Sequence, residues 1–171
     1  MERSARGVIL VGHGGIPKDC PRELVVQLKR LEAQRRESGR PPSEEERALD
    51  RKIRQWPRNA ETDPYQAGLE TLGSALRPLL GQAILAVAYN EYCAPTLEEA
   101  VDALVEQGVT DITVITTMFT PGGSHSEVEI PEILGHVCER HQGITLRYAW
   151  PFDLALVAGM LAKQIEQFSP H

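Results

Sequence analysis

The chain has few cysteines and few long apolar runs. Its 171 residues include three cysteines, Cys20, Cys93 and Cys138, which form no CxxC pair and cannot all pair with one another. That usage favours a reducing, cytoplasmic setting over a disulfide framework. No apolar run reaches the length needed to span a bilayer, and the first residues lack the charged, apolar and small-residue order of a signal peptide. We therefore expect a cytoplasmic protein without a membrane partner.

Several catalytic and binding signatures are also missing. There is no GxSxG, which an α/β-type serine hydrolase needs around its nucleophile, and no GxGxxG or GxxxxGK[ST] loop for a nucleotide. The chain has no excess of positive charge, because its net charge is -6, and this argues against general nucleic-acid binding. We expect neither a nucleotide cofactor nor a nucleic-acid partner.

What the chain does contain is an alternation of short apolar strands and amphipathic helices, and its 42% hydrophobic residues suffice for one core. The pattern predicts strands at 7–12, 82–88, 112–117 and 143–149. It predicts helices at 21–37, 43–56, 63–80, 96–107, 124–140 and 151–168. Such an alternation indicates one α/β domain over residues 1–171, with a four-stranded parallel sheet in the order 2-1-3-4 flanked by helices. A helical segment at about 39–59 looks inserted.

Two histidines follow strands that this order makes neighbours. His13 comes directly after the first strand, in the turn Gly12-His13-Gly14-Gly15, and His125 follows the third strand after a Pro-Gly-Gly turn. Glu91 follows the second strand. The carboxyl ends of parallel strands share one edge of the sheet, and ligands bind where the strand order reverses. We therefore expect these three side chains to face one crevice, where imidazole can ligate a divalent metal or take up protons.

Each residue also has a purely structural interpretation. His13 could belong to a tight strand-to-helix turn, His125 could cap the helix that follows, and Glu91 could be a solvated loop acid. Two overlapping capping boxes are predicted at that helix start, Ser124 with Glu127 and Ser126 with Glu129.

The segments around these residues resemble a known family. GHGG after the first strand, the run from Asn90-Glu91 to Ala100, and GGSHSEVEIP at 122–131 are similar to the small, single-domain form of the CbiX-type sirohydrochlorin chelatases. The resemblance covers most of the chain and skips roughly 39–59. Two positions depart from the family pattern: Gly15 stands where Ser is usual, and Thr117 to Thr120 replace a Pro-Leu-Phe-Leu segment.

The resemblance implies a three-layer chelatase-like domain and a lyase that inserts Co²⁺ or Fe²⁺ into sirohydrochlorin without ATP, in cobalamin or siroheme biosynthesis. It implies that His13 and His125 bind the metal substrate and accept protons, with Glu91 beside them. Imidazole and carboxylate would suit Ni²⁺ as well. Helix-start amides near Gly14, Gly15, Gly122, Gly123 and Ser124 are candidates for binding the tetrapyrrole. A homodimer is implied because one such domain forms half of the cleft of larger relatives.

Two further functions stay open at this point. One is a metal or tetrapyrrole carrier without catalysis, and the other is a hydrolase or transferase of phosphorylated small molecules. The role of the inserted region is open too. Its bases could pair with its own acids, or they could cover the crevice, or the crevice of a dimer partner, and offer Arg51 and Arg54 to a carboxylated ligand. Those bases, with their neighbours, are Arg35, Arg36, Arg40, Arg47, Arg51, Lys52, Arg54 and Arg58.

Overall fold

The computed structural model describes residues 5–169, and its centre is a parallel sheet in the predicted order β2-β1-β3-β4. The strands are β1 (Ala5–Gly12), β2 (Ile84–Tyr89), β3 (Val109–Thr116) and β4 (Thr145–Tyr148). The register pairs Gly12 with Tyr89 and Val11 with Thr116. The carboxyl ends of the three strands that precede the candidate residues therefore lie side by side.

Six α-helices within the described residues accompany the sheet: α1 (Arg22–Ser38), α2 (Glu44–Arg54), α3 (Pro64–Leu76), α4 (Leu97–Glu106), α5 (Ile130–Arg140) and α6 (Leu154–Glu166). A 3₁₀ turn, Arg77–Leu80, extends α3, and a π-helical turn, His125–Glu129, precedes α5. The central strand β1 is apolar at consecutive positions because both of its faces are buried. Ile9 and Val11 face the cluster formed with α4 and α5, while Leu10 faces the cluster formed with α3.

The first two helices form a hairpin that precedes the crossover helix α3, and we call it the α1–α2 hairpin (Arg22–Arg54). Gly39 ends α1 in the left-handed conformation, with a φ of 64°, and Ser43 caps α2 by accepting from the Glu46 amide. The hairpin has its own small core, in which Leu28 and Ile53 are fully enclosed and Tyr92 packs against them from the loop after β2. The inserted helix is therefore packed against a site loop through shared apolar contacts.

The last helix, α6, contains no buried residue. Its apolar side chains are exposed instead, including Leu154, Leu156, Met160 and Ile165. α6 therefore presents an exposed apolar face. Among the described residues, no helix has the length and hydropathy needed to cross a membrane.

Candidate metal site

The turn after β1 brings His13 against the loop after β2. The Glu91 amide donates to the His13 carbonyl (2.8 Å), and the Asn90 amide donates to the Gly12 carbonyl (2.9 Å). Gly14 lies between these loops with a φ of 97°, and a Cβ there would come within 1.8 Å of the Glu91 carbonyl oxygen. Glycine is thus required at position 14 both by its backbone angle and by the close approach of the neighbouring chain.

His125 lies in the π-helical turn that follows β3. Ser126, which is buried, holds this turn in place by donating from its hydroxyl to the Met118 carbonyl (3.0 Å), while the Tyr148 hydroxyl donates to the Ser126 carbonyl (3.0 Å). Turns of π-helix recur at functional sites because they shift the direction of the side chains they carry. Here the turn directs the His125 ring toward His13.

The two predicted capping boxes at this helix start are wrong. Neither serine caps the helix in the structure, since Ser126 bonds to Met118 and Ser124 forms no cap hydrogen bond. The Glu127 carboxylate accepts from the Gly122 amide instead (2.8 Å). Glu129 turns toward His125, so both acids have partners that a capping pattern does not reveal.

The structure brings His13, Glu91 and His125 together, with one potential ligand atom from each lying within 4.8 Å of the others. The His13 Nε2 atom is 3.7 Å from a Glu91 carboxylate oxygen. The two imidazole rings meet edge to face, with centroids 4.8 Å apart and planes at 85°. All three side chains are partly exposed, so an ion or a ligand can reach them. Two imidazoles and one carboxylate are a ligand set that suits divalent first-row metals.

The hydrogen bonds of the two histidines leave the same nitrogen free on each ring. His13 Nδ1 is 2.9 Å from the Gly14 carbonyl oxygen, and His125 Nδ1 is 2.9 Å from a Glu129 carboxylate oxygen. The Gly14 carbonyl can only accept, so His13 Nδ1 carries the proton. The Glu129 carboxylate favours a proton on His125 Nδ1 in the same way, but the Asn90 amide nitrogen, a donor, lies 2.8 Å from that Nδ1 and competes with this arrangement. With the proton on Nδ1, each Nε2 atom is available as a ligand, and its ring is oriented from the opposite side, as in carboxylate–histidine–metal arrangements.

Glu129 and Asn90 belong to the site although the sequence did not single them out for it. The Asn90 amide donates to the Glu129 oxygen (3.0 Å) that also lies 2.9 Å from His125 Nδ1. The Asn90 amide nitrogen is itself 2.8 Å from His125 Nδ1, so the three side chains form one hydrogen-bonded cluster. Burial raises the pKa of Glu129, but the hydrogen bonds from His125 and Asn90, helped by the charges of His125 and Arg36, outweigh burial and lower it. The i,i+4 spacing from His125 is the one sequence signal that could have indicated this pair.

A cleft of about 430 Å³ opens beside these residues, and we refer to it as the cleft. Asn90, Glu91, Ser124, His125 and Glu129 line it from the sheet side, and the α1–α2 hairpin lines it from the other. Four carboxylates and three arginines face it: Glu32, Asp50, Glu91, Glu129, Arg35, Arg36 and Arg54. The acids outnumber the arginines, so the charge of the cleft favours a cation.

Of the residues predicted to bind the tetrapyrrole, the four glycines make contacts within the protein and the serine lines the cleft. The Gly15 carbonyl accepts from Arg58 (2.8 Å), the Gly122 amide is used by Glu127, and Gly14 fits against Glu91. The Gly123 carbonyl accepts from the Glu127 amide (3.1 Å). Of the five residues suggested for tetrapyrrole binding, Ser124 is the one that lines the cleft.

Arg54 and Arg58 tie the inserted region to the loops that carry the site. Arg54 donates to the carbonyls of Asn90 (3.2 Å) and Cys93 (3.1 Å) while it pairs with Asp50. Arg58, whose side chain is 5% exposed, donates to the carbonyls of Gly15 and Tyr92. These two arginines therefore clamp the loops after β1 and β2.

Arg51 does not take part in the cleft. It pairs with Glu44 across the outer face of α2 (3.1 Å), and its side chain is 56% exposed. Arg51 therefore does not offer its guanidinium group to this cleft. Arg54 does line the cleft, and each of its three guanidinium nitrogens already donates one hydrogen bond. Binding of a carboxylated ligand by these two arginines stays a prediction. The inserted region does cover the crevice, and Arg54 is among the residues with which it does so.

A strand order of 2-1-3-4 with a histidine–carboxylate cluster at the switch point defines an α/β domain with a candidate metal site. The CbiX family model matches residues 60–167, which is more than half of the chain, and the chain belongs to this family. Glu91, His125 and Glu129 lie within the matched region, whereas His13 and the α1–α2 hairpin lie outside it.

Individual relatives agree with this assignment. The chain is 32% identical to a sirohydrochlorin ferrochelatase from Priestia megaterium over 68 residues, which are 40% of this chain and 25% of that protein. It shares its fold, at 16% identity and a TM-score of 0.57, with the sirohydrochlorin chelatase SirB from Bacillus subtilis subspecies spizizenii in complex with cobalt. That match covers 95% of this chain and 50% of SirB.

Two further structures have the same fold. A CbiX protein from Marinobacter aquaeolei VT8, named for cobalamin (vitamin B12) biosynthesis, matches at 18% identity and a TM-score of 0.55, covering 96% of this chain and 99% of that one. SirB from Bacillus subtilis with Fe³⁺ matches at 18% identity and a TM-score of 0.51, covering 97% and 48%. The chain thus spans about half the length of the SirB structures and the whole length of the small CbiX protein.

Proposed function

We propose that this protein inserts a divalent metal, Co²⁺ or Fe²⁺, into sirohydrochlorin or a closely related tetrapyrrole without using ATP. The observation that carries the proposal is the meeting of one nitrogen from each of two histidines and one carboxylate oxygen within 4.8 Å, beside a cleft of about 430 Å³. Membership of the CbiX family and the names of its relatives supply the substrate class.

In this proposal the metal is a substrate that the protein holds briefly. His13 and His125 bind it through Nε2, and Glu91 supplies a negative oxygen ligand that balances its charge. Because the Nδ1 atoms are held by Gly14 and Glu129, the rings need no reorientation when the metal arrives or leaves. The acid surplus of the cleft attracts the cation before the tetrapyrrole binds.

Insertion must also remove two protons from the pyrrole nitrogens, since the metal replaces them. As the four ring nitrogens take the metal, each vacated histidine Nε2 regains a lone pair and can accept one proton. Two histidines therefore match two protons. Glu91, 3.7 Å from His13 Nε2, can stabilise the imidazolium that results.

The test is a metal-insertion assay with the purified protein and sirohydrochlorin, followed by the change in its absorption spectrum. We expect Co²⁺ or Fe²⁺ insertion at a rate proportional to protein concentration and well above the rate in buffer, with Ni²⁺ as a comparison. Tight binding of metal and tetrapyrrole without any acceleration would instead favour a carrier.

Replacing Glu129 with glutamine tests the orientation of His125. A glutamine amide can donate to Nδ1, which allows the opposite tautomer and places a hydrogen on the Nε2 atom that should bind metal. We expect Glu129→Gln to weaken Co²⁺ binding by about 10–100-fold, measured by calorimetric titration at neutral pH.

Glu127→Gln is the matched control, because it makes the same change two residues away on a side chain that bonds to the Gly122 amide. It should bind Co²⁺ like the wild type. Equal affinity in the two variants would show that Glu129 does not orient the ligand.

We also propose that two copies associate through α6. SirB contains about twice the matched length in one chain, so a second copy of this chain would supply the equivalent second half. The exposed apolar face of α6 offers the surface such an association needs.

The test of this association is the mass of the protein in solution. We expect light scattering to give the mass of a dimer, and Leu161→Glu should shift the measured mass toward that of the monomer. Leu79→Glu, at an exposed leucine on the 3₁₀ turn, should leave the mass unchanged, and a wild-type monomer would disprove the proposal.

A further inference from the structure

The three arginines that line the cleft differ in how fully their guanidinium groups are used. Arg54 donates to two carbonyls and pairs with Asp50. Arg35 donates from Nε to the Glu46 carboxylate (2.8 Å), which is itself buried. Both are therefore engaged in holding the α1–α2 hairpin together and against the site loop.

Arg36 is different, because among the described residues its closest charged partner is Glu32 at 3.8 Å, beyond hydrogen-bond distance. Its side chain is 72% exposed and still lines the cleft together with His125 and Glu91. Its donors are thus available to a ligand that enters the cleft. An arginine with unused donors can bind a carboxylate through two parallel hydrogen bonds.

The negative charge of the protein makes a cation in the cleft important for binding a carboxylated ligand. The chain carries a net charge of -6 and the cleft itself has more acids than arginines, so a ligand with many carboxylates is repelled on approach. A local cation beside the metal site, held by its charged partner at 3.8 Å without a hydrogen bond, offsets that repulsion where the ligand must bind. Arg36 lies on α1, outside the region 60–167 that matches the family.

We propose that Arg36 binds a carboxylate substituent of the tetrapyrrole and orients the macrocycle over the histidine pair. This inference rests on the proposed function, since it names a contact of the same substrate. It makes the α1–α2 hairpin a part of the substrate site, with Arg54 and Arg58 holding the hairpin in place and Arg36 making the contact.

The experiment is a fluorescence titration of uroporphyrin, a porphyrin with eight carboxylates, into wild-type protein and three variants. We expect Arg36→Ala to raise the dissociation constant about tenfold at low salt. The variant loses one pair of charge-assisted hydrogen bonds, which an exposed side chain makes to the ligand. Arg36→Lys should recover part of that loss, because it keeps the charge and loses the planar fork. The wild-type constant should rise with added salt, and Arg36→Ala should flatten this dependence.

Arg51→Ala is the matched control, since it removes the same charge from the same hairpin at a residue outside the cleft. It should bind uroporphyrin like the wild type. Equal constants for Arg36→Ala and Arg51→Ala, or no uroporphyrin binding by the wild type, would overturn the inference. A protein that binds uroporphyrin through Arg36 yet inserts no metal into sirohydrochlorin would instead overturn the proposed function alone.

Discussion

Replacing His125 with alanine is expected to lower the rate of metal insertion by about 10²–10⁴-fold, because the change removes a metal ligand and a proton acceptor together. His13→Ala should have an effect of the same order, since the two imidazole rings meet at one site. The measurement is the initial rate of Co²⁺ insertion into sirohydrochlorin, with circular dichroism to show that each variant is folded.

The matched control is His136→Ala, which removes an exposed imidazole from α5, outside the site cluster. It should leave the rate unchanged. The rate of the wild type should also fall as the pH is lowered, because protons compete with the metal for the Nε2 atoms. Near-normal turnover in both site variants, or a rate that does not change between neutral and acid pH, would argue against histidine as ligand and base.

Gly14→Ala is expected to destabilise the protein by about 3 kcal/mol, through backbone strain at a positive φ and overpacking against the neighbouring loop. The added Cβ would lie 1.8 Å from the Glu91 carbonyl oxygen, and backbone cannot move aside as a side chain can. The loops that carry His13 and Glu91 must then separate, so metal binding should be lost as well. Urea unfolding measures the first effect and Co²⁺ titration measures the second.

Gly135→Ala is the matched control for Gly14→Ala, because it makes the same substitution at a position where there is space for a Cβ. Gly135 lies within α5, and a Cβ there has no atom within 4 Å. The same chemical change should therefore stabilise the protein by about 0.5–1 kcal/mol, as alanine is favoured over glycine inside a helix. A Gly14→Ala variant as stable as the wild type would contradict the close approach of the two loops.

The sheet order was predictable because it follows from the alternation of elements and the handedness of their connections. An apolar run such as Val8 to Val11 indicates a strand buried on both faces, and that strand is central in the structure. Once β1 lies between β2 and β3, the residues after those strands must meet at one edge. The position of His13, Glu91 and His125 could thus be argued from topology alone.

The orientation of the ligands could not be predicted in this way. Ser126 and Glu129 fit a capping pattern in sequence, but a serine hydroxyl and a carboxylate each have several partners within reach. The π-helical turn decides between them, because it buries Ser126 against Met118 and turns Glu129 toward His125. This turn depends on the hydrogen bonds of Ser126 with Met118 and with Tyr148. Neither partner stands within one helical turn of Ser126, so the sequence pattern does not reveal these contacts.

The roles of the arginines in the inserted region could not be predicted from the sequence either. Its arginines look alike in the sequence, yet Arg58 is enclosed, Arg51 pairs on the surface and Arg36 faces the cleft. Which role each takes depends on where the hairpin packs, and the apolar core around Ile53 and Leu28 contributes to that position. Sequence spacing alone does not distinguish an arginine that is bonded to a neighbouring loop from an arginine that can bind a ligand.

The most direct test of the metal site is a crystal of the protein soaked with Co²⁺ and measured by anomalous diffraction. We predict one cobalt ion bound by Nε2 of His13, Nε2 of His125 and a carboxylate oxygen of Glu91, with both Nδ1 atoms still bonded to Gly14 and Glu129. Cobalt bound through Nδ1, or bound elsewhere on the chain with these three side chains unoccupied, would contradict it.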